Sequence, residues 1–264
     1  MYENMKLGIF HWFGYILPFT QRIKMIKDTG FDSIMLWWEP DLFSGEGLEQ
    51  FNKVKKMDID IENIHAPYED SNLLWSSDEM DREKIIDMSL RWIHDCYKHE
   101  IPMIVMHVTE GYDDKIINDY GLYSFEKILL EAEKYKIKIA LENTRQDEFL
   151  EKILDNFSSP WLGICYDSSH ANLFSKNTTY LLDKYRERIM AIHLSDNDGQ
   201  EDRHWLPQKG EIDWNNMMMK LKEINYKGNL SFEVFPEKGV IYSPQIFLQS
   251  AYNKASELKG YLKY

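Results

Sequence analysis

The stretch His193–Pro207, HLSDNDGQEDRHWLP, places two histidines and four acids in fifteen residues, directly after the apolar run Ile189-Met190-Ala191-Ile192. Residues this polar at the end of a buried strand have something to bind. The same pattern recurs along the chain: apolar runs end in His65, His107, Glu142, Asp167 with His170 just beyond, and His193, while LSFEVF (230–235) carries Glu233. His11 directly follows another such run, and of the eight histidines only His94 and His99 lie away from the strand ends and the loops that follow them. One histidine near a strand end is usually a hydrogen-bonded core residue, but seven chemistry-bearing positions on one rim is a different case. Carboxylates and imidazoles packed so closely push carboxylate pKa values upward unless a cation or a substrate neutralises them. A divalent ion is the simplest neutraliser. Glu142, Asp167, His193 and Glu233 offer it a mixed oxygen and nitrogen donor set, which suits Zn, Mn, Co or Fe better than Ca or a thiolate-seeking ion.

Eight short apolar runs carry these residues: 6–10, 32–38, 60–66, 101–107, 136–142, 162–167, 189–195 and 230–235. Between them, segments such as 20–29, 78–100 and 123–135 repeat apolar residues at i, i+3, i+4 and i+7, the helical period. Gly30 reads as a helix stop and Pro102 as the opening of a strand. Strands that are near-continuous Ile, Val, Leu and Met, alternating with helices, imply a parallel sheet covered by helices. Eight such repeats in 264 residues fit a single-domain (β/α)8 TIM barrel over residues 1–264, whose functional groups gather at the C-terminal ends of the strands. No GxGxxG or GxxxxGK[ST] phosphate loop is present, which weakens a nucleotide-binding open sheet.

Composition narrows the function classes. The net charge of −13 disfavours a broad phosphate-binding surface, so a nucleic acid partner is not expected. Cys96 and Cys165 lack CxxC spacing and read as buried thiols. No run approaches the roughly 18 apolar residues of a membrane span and the N-terminus lacks a signal-peptide pattern, so a cytoplasmic protein without a membrane partner is expected. Phe10, Trp12, Trp37, Trp38, Tyr68, Trp205 and Phe235 lie at or near strand ends. Flat apolar faces suit the C–H surfaces of a sugar, and Trp12, Trp38 and Trp205 are the expected pocket members.

HAPY (65–68), LEN (141–143), GICYDSSHANLF (163–174), IHLSDN (192–197), DRHWLPQKGEIDW (202–214) and LSFEVF (230–235) together resemble the ordered signatures of the xylose-isomerase-like TIM-barrel superfamily, over nearly the whole chain. That superfamily includes sugar (phosphate) isomerases and epimerases and the endonuclease IV DNA-repair enzymes. The resemblance implies the same four metal ligands, Glu142, Asp167, His193 and Glu233. In the ketose epimerase branch it implies that His170 and Glu148, six positions after the first metal glutamate, hydrogen-bond the sugar. In the endonuclease IV branch it implies three zinc ions, with His65, His107, His170, Asp202 and His204 as additional ligands. As substrate or loop contacts, the same residues also fit a sugar enzyme. Departures from the nuclease pattern are Gly8-Ile9-Phe10-His11-Trp12 in place of a Gly-Ala-His-Val-Ser-like strand, and an acidic stretch EPDLFSGEGLEQ (39–50) where a DNA-recognition loop would lie. Gln208-Lys209-Gly210 replaces the expected Gly-x-Gly of either branch.

The resulting expectation is a divalent-metal-dependent isomerase or epimerase of a small sugar or sugar-like hydroxy-carbonyl compound, working through a metal-stabilised enediolate. Glu142 and Glu233 would move the proton. His65, His107, Glu148, His170, Trp12, Trp38 and Trp205 would bind substrate, with Arg203 reaching a phosphate or carboxylate. The alternative enzyme is a metal-dependent endonuclease at abasic DNA sites, and a non-catalytic sugar- or metal-sensing barrel is a third reading. The partner expected is a small carbohydrate, and the sequence is compatible with a homo-oligomer.

Overall fold

The computed structural model describes residues 4–38, 45–111, 117–240 and 242–262. Among these residues eight parallel strands form one sheet: β1 (Leu7–Phe10), β2 (Ser33–Trp37), β3 (Asp60–His65), β4 (Met103–His107), β5 (Lys138–Glu142), β6 (Leu162–Asp167), β7 (Ile189–His193) and β8 (Leu230–Phe232). From β1 to β7 each strand pairs with the next in sequence, and β1 also pairs with β8. A bridge between Leu194 and Phe232 closes the ring, with Leu194 N–H donating to Ser231 O at 2.9 Å and Glu233 N–H to Leu194 O at 3.2 Å. The chain therefore folds as a (β/α)8 barrel, in the strand order the apolar runs predict. One boundary differs. β8 stops at Phe232, so Glu233 follows the strand rather than lying within it, and its backbone is used to close the barrel.

Helices α1 (Phe19–Thr29), α2 (Gly45–Val54), α3 (Glu79–His99), α4 (Asp119–Tyr135) and α5 (Asp147–Asn156) follow the first five strands in turn. Short helices α6 (Ser168–Phe174) and α7 (Tyr180–Lys184) follow β6, α8 (Trp214–Glu223) follows a long loop after β7, and α9 (Pro244–Tyr261) completes the shell. Helix ends are set by local chemistry. Asn118 Oδ1 accepts from the N–H groups of Tyr120 and Gly121 at 2.9 and 3.3 Å to start α4, and Gly30 ends α1 with φ of 112°, where a side chain would be strained. No helix among the described residues is long and apolar enough to cross a membrane.

Alternation along the strands separates two cores. Ile104, Met106, Ile139, Leu141, Ile164 and Ile192 face outward into the large layer beneath the helices, while Met103, Val105, Ala140, Cys165 and Ala191 fill the inside of the barrel. Successive side chains point to opposite faces of a strand, so two residues beyond Val105, Ala140, Cys165 and Ala191 come His107, Glu142, Asp167 and His193, all on the inner face at the barrel mouth. Register sets them side by side: His107 pairs with Glu142, and Asp167 with His193. Of the acidic stretch 39–50, residues 39–44 lie outside the described residues and 45–50 belong to α2.

Candidate active site

Glu142 is the centre of the mouth, almost fully buried. Its Oε2 lies 2.9 Å from His65 Nε2 and 3.3 Å from His107 Nε2; its Oε1 lies 3.1 Å from His193 Nδ1 and 3.7 Å from His170 Nδ1. His193 Nδ1 is also 2.8 Å from Glu233 Oε2. One donor atom each from Glu142, Asp167, His193 and Glu233 falls within 4.8 Å of the others, and a second set meeting the same limit is His65, His107 and Glu142. Burial opposes the charge on Glu142, but His193, His107 and His65 hold its carboxyl well below the usual range.

Asp167 behaves differently. Its Oδ1 caps α6 by accepting from His170 N–H at 2.7 Å, whereas its fully buried Oδ2 has no hydrogen-bond partner among the described residues. Burial pushes its pKa up to about 6, with Glu142, Asp202 and Glu233 adding to the rise and His170 opposing it. An orphaned buried carboxylate oxygen costs free energy unless something fills the space beside it. The four-residue cluster fits a divalent cation on that observation and on its donor chemistry.

Three of the other imidazoles are held by backbone carbonyls, which can only accept. His65 Nδ1 donates to Ala66 O at 2.8 Å, His170 Nδ1 to Asn143 O at 2.8 Å, and His204 Nδ1 to Glu233 O at 3.1 Å. Each Nε2 is thereby aimed at a carboxylate oxygen: His65 at Glu142, and both His170 (3.1 Å) and His204 (2.9 Å) at Asp202 Oδ2. Between an imidazole nitrogen and a carboxylate oxygen there must be a proton or a cation. Burial opposes protonation of His204 and His170, but Asp202 beside both, and Asp167 strongly for His170, raise His204 to about 9 and His170 well above the ordinary histidine value. Protons thus satisfy the Asp202 cluster, which the Asp167 oxygen lacks.

Above this floor opens a cleft of about 680 Å³ walled by Phe10, Trp12, Trp37, Tyr68, Phe174 and Phe235. Trp37 stacks on His65 with ring centroids 5.4 Å apart, and Tyr68 lies parallel to His107 at 4.5 Å. These rings fix the imidazole planes while offering apolar faces to a ligand.

A family model described as xylose isomerase-like TIM barrel matches residues 23–251. The chain belongs to that family. Among curated relatives it is 28% identical over 171 residues to an uncharacterised Sinorhizobium fredii protein, covering 60% of this chain and 55% of that one. A second, uncharacterised protein of Methanocaldococcus jannaschii is 28% identical over 96% of this chain and 93% of its own length. The inosose isomerase of Bacillus subtilis is 28% identical over 47% of this chain and 50% of its own. Among solved structures, a D-tagatose 3-epimerase-like protein superposes with a TM-score of 0.78 at 25% identity, covering 98% of this chain and 97% of that one. L-Ribulose 3-epimerase superposes with a TM-score of 0.83 at 12% identity over 98% and 96%, a likeness of fold.

Within this family barrel the mouth brings together Glu142, Asp167, His193, Glu233, His65, His107, His170, Asp202, His204 and Trp12. Four expected residues lie elsewhere. Trp38 is one position beyond Trp37 and so faces the helices, where its Nε1 donates to Asp95 Oδ2 at 3.1 Å and its ring meets Trp92. Glu148 sits exposed in the first turn of α5 and does not line the cleft. Arg203 is turned away, its Nε and Nη2 on Asp198 Oδ2 at 3.1 and 2.9 Å and its Nη1 on Glu201. Trp205 is absent from the cleft wall because its backbone pairs with Asp196 in an antiparallel bridge that folds the loop after β7 back on itself. Asp196 is structural too: it accepts from Asn197 N, Ile212 N and Trp214 Nε1 at 2.9, 3.2 and 2.8 Å. Of the four acids in HLSDNDGQEDRHWLP, then, Asp202 alone faces the site. Among the described residues the Lys and Arg side chains on the cleft wall are Arg22 and Arg145, and Arg145 follows the LEN motif by two residues, where the strand-end rule points to it.

Proposed function

We propose that this protein is a divalent-metal-dependent isomerase or epimerase of a small sugar or sugar-like hydroxy-carbonyl compound. The observation that carries the reading is the unpartnered, buried Asp167 Oδ2 among three further donors within 4.8 Å, at the floor of an aromatic-walled cleft. The D-tagatose 3-epimerase-like neighbour and the inosose isomerase relative support the sugar class.

Glu142, Asp167, His193 and Glu233 would hold the ion, which is Zn, Mn, Co or Fe on donor chemistry. When bound, it supplies Lewis acidity toward the carbonyl and neighbouring hydroxyl oxygens of the substrate. The proton chemistry falls to the glutamates. Both oxygens of Glu142 are crowded by imidazoles and its side chain is 1% exposed, whereas Glu233 is 12% exposed and contacts His193 through one oxygen. Glu233 is therefore the carboxylate that takes the proton from the reacting carbon, leaving an enediolate, and in the complementary step Glu142 passes back to that carbon a proton drawn from the neighbouring imidazolium of His107, whose Nε2 lies 3.3 Å from its Oε2. His170, with Nδ1 fixed on Asn143 O, orients a substrate hydroxyl, and the aromatic walls exclude water from the carbanionic species.

The test is incubation of the metal-loaded protein in deuterated water with D-tagatose, D-fructose and L-ribulose. Deuterium entering a carbon next to the carbonyl is the expected result; no exchange with any ketose or related cyclitol would overturn the reading. A second reading, a metal-dependent abasic-site endonuclease, is favoured by one observation: His65, His107 and Glu142 form a further three-donor set beside the four-residue cluster. Three tightly bound zincs per chain with cleavage of an abasic duplex would establish it in place of the first.

A further inference from the structure

His11 follows β1 and lines the cleft, 4% exposed, yet no step above uses it. Arg22 Nη1 lies 3.3 Å from its Nδ1. A guanidinium can only donate, so Nδ1 accepts and the ring proton sits on Nε2. That Nε2 is buried and has no hydrogen-bond partner among the described residues. The rings of Phe10 and Phe19 pack against the imidazole with centroids 5.4 and 5.6 Å away and supply no acceptor. An orphaned buried donor on the wall of a binding cleft is a group awaiting its ligand. In the closed ring of eight strands β1 stands four places from β5, so the strand that leads into His11 lies opposite the one that ends in Glu142.

We infer that His11 is a substrate-binding residue whose Nε2–H donates to a hydroxyl or carbonyl oxygen at the end of the substrate remote from Glu142. This rests on the sugar reading of the cleft. Burial and the Arg22 charge push the His11 pKa down to about 3, so the ring stays neutral at physiological pH. Arg22, donating into Nδ1, polarises the ring and strengthens the Nε2–H donor. A substrate spanning the cleft is then gripped at both ends, by the glutamate and metal-ligand floor on one side and by a pH-insensitive donor on the other. A site built this way rejects analogues that lack the matching oxygen, because the buried donor is left unpaired.

The experiment has two arms. In the first, the zinc-loaded protein labelled with ring-15N histidine is examined by NMR at pH 7, with His11→Phe identifying the signal. The expected form is the neutral ring protonated on Nε2; a proton on Nδ1, or on both nitrogens, overturns the inference. In the second, deuterium exchange into D-tagatose, D-fructose and L-ribulose is measured for wild type, His11→Phe and His11→Gln. KM should rise about tenfold in His11→Phe, the worth of one hydrogen bond to a neutral oxygen, with kcat little changed. The Gln amide, which restores an N–H donor, should recover most of that loss. Unchanged KM in His11→Phe overturns the inference. Equal losses of thermal stability and metal content in both variants, with no recovery by Gln, would also overturn it by showing a packing role. Should the wild type exchange none of these sugars, the isomerase reading fails by itself and the ring spectrum alone decides: the Nε2–H form sustains the donor, any other form removes it.

Discussion

Replacing Asp167 by Asn should stabilise the metal-free protein while destroying its metal affinity. In the folded chain burial raises this carboxyl from 3.8 to about 6. At about 1.4 kcal/mol per pH unit, ionising it inside the barrel costs about 3 kcal/mol relative to the unfolded chain. The sign follows from the raised folded value: the favourable contribution is complete below pH 3.8, falls as pH rises through about 6 and is gone at pH 7.5. The amide carries no charge to desolvate, and its Oδ1 can still accept from His170 N–H, the bond that starts α6. Urea denaturation in EDTA at pH 7.5 should therefore find Asp167→Asn more stable than wild type by about 1–3 kcal/mol, with the gain vanishing near pH 4. Calorimetric titration with zinc or manganese should show affinity reduced at least about 100-fold, since a direct ligand matters at least as much as its outer partners. In saturating metal the stability order should invert, because the ion stabilises only the chain that binds it. A metal-free Asp167→Asn protein that is clearly less stable than wild type at pH 7.5, or one that keeps wild-type metal affinity, would refute the reasoning.

His204→Ala should leave the count of tightly held ions at one per chain, as measured by metal analysis after dialysis; loss of about one ion from a larger wild-type complement would move the Asp202 cluster from a proton-filled to a metal-filled site. Metal-free protein should lose stability as pH rises from about 6.5 to about 9, because His204 has its folded pKa raised to about 9 from 6.5, and a raised histidine stabilises fully below its unfolded value and ceases to do so above its folded one. Urea midpoints in EDTA at the two ends of that window check this, and a midpoint that climbs with pH would contradict it. Apparent metal affinity should also change with pH, strengthening as pH rises, since binding must displace the protons held on the ligands Asp167 and His193, both raised in the metal-free protein.

The barrel is readable in the sequence because its strands are buried on both faces, so each appears as a near-continuous apolar run, and charge at the end of a run marks the point where the chain reaches the mouth. Side-chain direction at that point is less legible. Trp37 and Trp38 are equally aromatic and adjacent, yet the two-residue period sends one into the cleft and the other under the helices, and only the register of β2 fixes which. The long loop after β7 hides its logic altogether: Asp196, Asp198 and Asp202 look equivalent as types, but Asp196 becomes a loop brace beside its bridge to Trp205, and Asp198 pairs with Arg203. Glu148 fails for a helical reason, since its place in the first turn of α5 points it to solvent. His11 was visible as a strand-end histidine, but its meaning depends on Arg22, eleven residues away on the next helix.

The most direct measurement is solvent hydrogen exchange by Glu233→Gln. The amide is nearly isosteric, can still offer an oxygen to the ion and cannot accept a proton. With metal content assayed in the same sample and folding confirmed, exchange at the reacting carbon of the ketose should fall by about two to four orders of magnitude, the worth of a positioned base. A Glu233→Gln protein that keeps its ion and exchanges substrate hydrogen with deuterated water at the wild-type rate would contradict the account.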